Sequence, residues 1–263
     1  NDAAAARAAI RRGEWTQHTS GLADRHVQGN LVILPKALAD DFLRYCQRNP
    51  KPCPLTGVSD TGNPRMFTMG RDIDIRTDVP AYNIYCDGKL ETSVSDIKDF
   101  WTDDMVVFAL GCSFTFENAL EKADVPVWHI DNNKTVPMFR SNIDTVPSGP
   151  FSGKMVVSMR AIPEDRVDEV IAISRRFPLA HGAPVYWGDP AGLGIADIAN
   201  PDWGDAAPVG AGEVPVFWAC GVTPQVAIET ARLPICITHK PGHMLITDVA
   251  EDAENPVMTF TNP

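Results

Sequence analysis

The chain has 263 residues, and its 34 acidic residues outnumber its 23 lysines and arginines, which gives a formal net charge of −11. Proteins that bind nucleic acid present a basic surface to the phosphates, so this balance argues against a nucleic-acid partner. Hydrophobic residues make up 44% and charged residues 22%, as in a globular protein with a sizeable core. No apolar run reaches the roughly 18 residues that cross a bilayer, and the Ala-rich start lacks the apolar segment of a secretory signal. The sequence therefore predicts a cytoplasmic protein with no membrane partner.

Strand and helix signals alternate along the chain, after a helix predicted within residues 1–20. Strands are predicted at residues 30–34, 106–110, 155–159 and 214–218, each followed by a helix. Residues 82–94 predict a hairpin that turns at Asp87–Gly88. This alternation favours an α/β fold, in which crossover units build a helix-flanked mixed sheet, with a smaller two-layer α+β portion.

Two stretches of the chain resemble each other. Residues 106–130 and 214–237 both predict strand, turn, helix and strand, and they match at an offset of 108. Residues 34–50 and 162–178 match at an offset of 128. We interpret the chain as two pseudo-repeated halves, residues 21–148 and 149–263, which could intertwine into one larger α/β domain and one smaller α+β domain. A chance match between segments rich in alanine and proline is the alternative.

Each half places a cysteine, Cys112 or Cys220, where a buried strand turns into a helix. Amides at a helix N-terminus can bind a carboxylate and lower the pKa of a thiol, so the two turns suit a small substrate with two carboxylates. The other residues predicted to bind substrate at these turns are Ser113, Thr115, Gly221 and Thr223, with both threonines as N-caps. Whether the thiols react or only line the site stays open, because free cysteines are also common as buried apolar residues.

Histidine and arginine supply the remaining candidates. His239 and His243 are predicted general acids or bases, because their ordinary pKa suits proton transfer. A proline and a glycine between them exclude the helical spacing of a zinc site, so no metal is predicted. Arg140, followed by Ser141 in a strand-like run, is predicted to hold a carboxylate, although it could simply be a surface arginine. The other arginines that could do so are Arg48, Arg71, Arg76 and Arg160. No phosphate loop or nicotinamide fingerprint occurs, so no cofactor is expected.

Several segments between about Gly21 and Asp248 resemble the family named "putative hydro-lyase", which includes D-glutamate cyclase. They include GCSFTFENAL, VPMFRSNI, HGAPVYWGDPAGLGIADI, GEVPVFWACGVTPQ and ITHKPGHMLITD. The resemblance implies a carbon–oxygen lyase that acts on a small amino or hydroxy acid, with conversion of D-glutamate to 5-oxo-D-proline and water as the leading activity. It supplies no catalytic residue set, so the site residues are those argued above. His26 and Gly29 depart from the aromatic residue and alanine that relatives tend to have there.

Two other functions stay open. Paired cysteines also serve cofactor-independent amino-acid racemases, in which one thiolate removes a proton and the other thiol donates one. A non-catalytic protein that binds a small molecule is the third alternative. In every case the predicted partner is a small carboxylate-bearing molecule, and assembly into a homo-oligomer stays open.

Overall fold

A computed structural model describes residues 2–19, 21–23 and 25–251 and confirms the α/β class. Within those residues there are six α-helices, eleven strands and two sheets, and no helix there has both the length and the apolar character needed to cross a membrane. The chain divides into two compact units. The first contains Asn1–Arg44, Leu55–Gly111 and Ile228–Pro263, and the second contains Tyr45–Pro54 and Cys112–Ala227.

The elements are numbered in chain order. The helices are α1 (Ala3–Arg11), α2 (Lys36–Arg48), α3 (Phe114–Glu121), α4 (Trp128–Asp131), α5 (Val167–Arg175) and α6 (Thr223–Ala231). The strands are β1 (His26–Pro35), β2 (Leu55–Val58), β3 (Tyr82–Cys86), β4 (Lys89–Val94), β5 (Met105–Leu110), β6 (Met138–Asp144), β7 (Lys154–Pro163), β8 (Tyr186–Trp187), β9 (Glu213–Ala219), β10 (Cys236–His239) and β11 (Leu245–Ala250).

The first unit is built on a seven-stranded sheet in the order β2-β5-β1-β10-β3-β4, with β11 also paired to β1. Its main core forms where alternate residues of β1, such as Leu31 and Ile33, pack with Val107 of β5 and Ile84 of β3. The predicted hairpin is confirmed as β3 and β4. Asp87 and Gly88 both have positive φ, 49° and 77°, as a tight hairpin turn requires.

The second unit is built on a four-stranded sheet in the order β6-β7-β9-β8. Ile162 of β7 and Trp218 of β9 point to the face that packs with α3 and α5. Met159 and Phe217 point to the opposite face and a second apolar cluster. Since side chains alternate along a strand, Arg160 shares the face of Ile162 and lies toward the helices.

The predicted crossover units occur in a modified form. Helix α2 joins β1 to β2, and these strands run in the same direction but are separated by β5. Helix α5 joins β7 to β8, which are separated in the same way by β9. As a result, the hydrogen-bonded ladders between the described strands are antiparallel. The sequence predicts the order of the elements along the chain. It does not predict that β5 lies between β1 and β2, or that β9 lies between β7 and β8.

The strand registers of the two units are related by the offsets of the sequence repeat. Pro35 pairs with Met105 in the first unit, and Pro163 pairs with Glu213 in the second. These pairs correspond under the offsets of 128 for β1 and β7 and of 108 for β5 and β9. The shared register supports the internal duplication, which stays a prediction.

One element predicted from the repeat is wrong. The sequence predicts a strand across residues 125–130, but Trp128–Asp131 forms the short helix α4. Val125 and Val127 are buried in the core that contains α3. The Val127 carbonyl accepts hydrogen bonds from the amides of Ile130 and Asp131, which closes a helical turn instead of extending the chain.

Candidate functional site

Both cysteine turns lie in the second unit. Cys112 stands directly before Ser113, the N-cap of α3. Thr115 is therefore the second residue of α3, and Thr223 is the first residue of α6, so the prediction of both threonines as N-caps is wrong. Cys220 follows β9 and donates its backbone N–H to the Val156 carbonyl at 3.0 Å, just before α6 begins.

Both thiols are protonated at neutral pH. Burial raises the pKa of Cys220 to about 12, although the Val222 amide and the Arg160 charge act in the opposite direction. Burial also raises the pKa of Cys112 above its usual value, against hydrogen bonds from Phe114 and Ser113. The lowering of the pKa expected at a helix N-terminus is outweighed by the loss of solvent.

A buried ion pair lies next to the cysteine turns. Glu117 of α3 is 2% exposed, and its Oε1 accepts hydrogen bonds from Nε of Arg160 at 3.0 Å and from Nη2 of the same side chain. His129 of α4 places its Nε2 3.2 Å from the same oxygen. Ser113 donates its hydroxyl to that oxygen at 3.4 Å. Three side chains, from α4, β7 and the Cys112 turn, therefore meet at the Glu117 carboxylate.

The ion pair keeps Glu117 ionised. Burial alone would raise the pKa of Glu117, but the Arg160 charge and the His129 contact outweigh it and lower the pKa to about 2. Arg160 is fixed from two other directions. Its Nη1 donates to the Ser158 hydroxyl at 2.9 Å, and its guanidinium lies 5.0 and 5.1 Å from the rings of Phe116 and Trp218.

His181 is a neutral histidine in the same unit. It is 2% exposed, and its Nδ1 lies 2.7 Å from the Lys51 carbonyl, to which it donates. Burial lowers the pKa of His181 to about 4, and the charges of Arg160 and Glu117 also act on it. Because Nδ1 carries the proton, Nε2 has a free lone pair.

Trp203 contacts both Arg140 and the apolar cluster that contains Cys220. The Arg140 guanidinium lies 4.8 Å from the Trp203 ring, and Trp203 packs against this small apolar cluster. Arg140 is exposed and borders a surface cleft of about 260 Å³ together with Asp197 and Asp202. It is thus accessible to an anion, although the two aspartates oppose one.

The hydroxyls of Ser141 and Thr223 are engaged within the protein. Ser141 donates to the Met155 carbonyl at 2.7 Å. The Thr223 hydroxyl accepts from the Val156 amide at 2.9 Å and is fully buried. Gly221 is partly exposed in the turn before α6. The predicted binding roles of these three residues stay predictions.

The predicted acid–base histidines belong to the first unit. Nδ1 of His239 accepts the Leu31 amide at 3.0 Å, and burial lowers the pKa of His239 to about 4. Nδ1 of His243 lies 3.0 Å from the Pro241 carbonyl. Their catalytic role stays a prediction. Over the part of the chain that the structure describes, no three His, Cys, Asp or Glu side chains are grouped so that they could hold a metal ion.

The Glu117–Arg160 pair is not among the sites that the sequence predicts. Arg160 is one of five candidate arginines, and no catalytic or binding role is predicted for Glu117 or His129. A usable signal was an arginine inside an apolar strand, where a charge needs a buried partner.

The family described as D-glutamate cyclase matches residues 106–248, a stretch that contains both cysteine turns and the ion pair. Curated relatives named "Putative hydro-lyase" include one from Dinoroseobacter shibae, 73% identical over 96% of this chain and 84% of its own length. Another, from Ruegeria pomeroyi, is 75% identical over 96% of this chain and 92% of its own length. A crystal structure of a nitrogen repressor-like protein from Methanococcus jannaschii aligns with 89% of this chain over 91% of its own, with 12% identity and a TM-score of 0.39. The family match and the two relatives show that the chain belongs to the D-glutamate cyclase family.

Proposed function

We propose that the protein converts D-glutamate to 5-oxo-D-proline and water, at a site formed in the second unit by the two cysteine turns. The observation that carries the proposal is that Cys112 and Cys220, both protonated, stand in the turns that precede α3 and α6, and that both turns belong to one unit. Neutral thiols and backbone amides at such positions suit carboxylate and oxyanion binding. The family match supports the reaction.

The reaction requires the protein to position the substrate and transfer protons, and it does not require a strong protein nucleophile. The substrate nitrogen attacks the side-chain carboxyl carbon, and a C–N bond forms while a C–O bond breaks. The ammonium loses two protons, and the departing oxygen leaves as water with two protons, so the step balances without a co-reactant. One turn would hold the α-carboxylate and the other the oxyanion, with Arg140 as a further carboxylate contact.

The protonated thiols weigh against a two-cysteine racemase. That reaction needs one thiolate as a base, and burial disfavours the thiolate at both positions. Substitution separates the two reactions. A racemase loses activity in both Cys112→Ser and Cys220→Ser, whereas a cyclase that uses backbone amides retains activity in at least one of them.

The test is a proton NMR time course of D-glutamate with the protein in D₂O, with L-glutamate in parallel and a protein-free sample for spontaneous cyclisation. We expect 5-oxoproline to accumulate from the D form with its α-proton retained. Incorporation of deuterium at the α-carbon without ring closure would show racemase activity and contradict the proposed cyclase activity. No change in either signal would show that glutamate is not the substrate.

A further inference from the structure

The two oxygens of the buried Glu117 carboxylate have different surroundings. Oε1 accepts from Arg160 and Ser113 and contacts His129. Oε2 makes no hydrogen bond with any residue that the structure describes. Oε2 is therefore an ionised acceptor with no donor from the described residues, and in native proteins such an oxygen usually meets a ligand or water.

The surrounding residues hold this oxygen in place. Arg160 fixes Oε1 through two nitrogens, and His129 contacts it from α4. The carboxylate therefore cannot turn to satisfy Oε2 without breaking these contacts. Arg160 also has spare capacity, because Nε, Nη1 and Nη2 each donate one hydrogen bond within the protein, whereas a guanidinium has five N–H donors.

The charge of the pair matches one class of ligand. Glu117 and Arg160 together are neutral but strongly dipolar, with an acceptor at one end and N–H donors at the other. The head group of an α-amino acid is also neutral and dipolar, with an ammonium donor and a carboxylate acceptor. A hydroxy acid has the carboxylate but not the cation, so it would leave the ionised Oε2 with at most a neutral donor.

We propose that Oε2 of Glu117 binds the ammonium group of the substrate and thereby selects amino acids over hydroxy acids. This inference rests on the proposed function for its location, but it concerns the class of ligand and not the reaction. Arg160 and His129 are positioning residues, because they act through the Glu117 carboxylate. The loss of an ionic hydrogen bond predicts about tenfold weaker binding or more for the hydroxy acid.

The test compares matched ligands that differ only in an amino or a hydroxyl group. The probes are D-glutamate with D-2-hydroxyglutarate, D-aspartate with D-malate, and D-alanine with D-lactate, and binding to the full chain is measured by calorimetry or ligand-observed NMR. We expect the amino acid to bind about tenfold tighter or more in the pair that fits the site. Equal affinity within every pair, tighter binding of the hydroxy acid, or no binding by any ligand overturns the inference.

Variants of Glu117 test whether its carboxylate causes the preference for amino acids over hydroxy acids. Glu117→Gln should reduce the preference to near unity, whereas the control Glu121→Gln removes an exposed carboxylate one turn further along α3 and should preserve it. If Glu117→Gln does not fold, Glu117→Gln/Arg160→Met removes both charges and provides the same comparison. A preference that survives in the folded variant overturns the role of Glu117. If the amino acid is preferred but D-glutamate is not cyclised, the proposed reaction fails and this inference stands.

Discussion

Arg160 donates two hydrogen bonds to a single oxygen, Oε1 of Glu117, and both side chains are at most 2% exposed. The pair links the central strand β7 to helix α3. Burying two charges is expensive, and their attraction offsets that cost only while both are present. The pair therefore fixes the position of Glu117 more than it adds to the net stability of the fold.

Removal of Arg160 alone should destabilise the protein strongly. We expect Arg160→Met to lower the free energy of unfolding by about 3–5 kcal/mol, because Glu117 is left as an unpaired buried charge. Urea unfolding at pH 7 measures this change. Arg140→Met is the control on the surface and should change stability by about 0.5 kcal/mol or less. The double variant Glu117→Gln/Arg160→Met should recover part of the loss, and a double variant no more stable than Arg160→Met would contradict the argument.

The ion pair should also make the free energy of unfolding depend on pH in the acidic range. The pKa of Glu117 is about 2 in the folded protein, against about 4.3 when unfolded. A lowered carboxyl pKa stabilises the folded state above the unfolded value, and this contribution is lost as the pH falls from about 4.3 towards 2. It amounts to about 3 kcal/mol. Unfolding between pH 5 and 2.5 should show a shallower decline in Glu117→Gln/Arg160→Met than in the native chain, and parallel declines would argue against an ionised Glu117.

His181 should give a second acid transition at higher pH. Its pKa is about 4 when folded and about 6.5 when unfolded, so the unfolded state takes up a proton first and stability falls as the pH drops from about 6.5 to 4. Asn suits the replacement, because His181 has φ 73° and Asn tolerates this left-handed conformation. Between pH 7.5 and 4, the free energy of unfolding should therefore fall by about 3 kcal/mol less in His181→Asn than in the native chain. His243→Asn serves as the control, and equal pH dependence in His181→Asn and the native chain would contradict the prediction.

The sequence predicted the local parts of the fold well. The strands predicted at residues 30–34, 106–110, 155–159 and 214–218 all lie within β1, β5, β7 and β9, because their apolar runs and the turns that end them are local features. The order of strands in the sheet is not local. Strand β10 pairs with both β1 and β3, which lie far away in sequence, and no pattern within residues 236–239 indicates either partner.

The site was predicted where it depends on a single turn and missed where it depends on a distant contact. Cys112 and Cys220 were identified from the strand-to-helix turns that contain them. Glu117 and Arg160 are 43 residues apart, and although Arg160 interrupts an apolar strand, no pattern near either residue identifies its partner. The sequence also predicted a lowered thiol pKa from the helix N-termini, whereas burial, which only the folded chain reveals, raises it at both cysteines.

Thr223, which the sequence predicts to bind substrate, is engaged within the protein. Its hydroxyl accepts from the Val156 amide of β7, so we expect Thr223→Val to lower the free energy of unfolding by about 1–3 kcal/mol through an unsatisfied buried N–H. Thr223→Ser keeps the hydroxyl and should cost less. Thermal or urea unfolding gives the stability, and the KM for D-glutamate separates the two roles, because the buried hydroxyl has its partner within the protein. An unchanged KM in both folded variants supports a purely structural role, whereas a KM that rises in Thr223→Val and not in Thr223→Ser would support the predicted binding role.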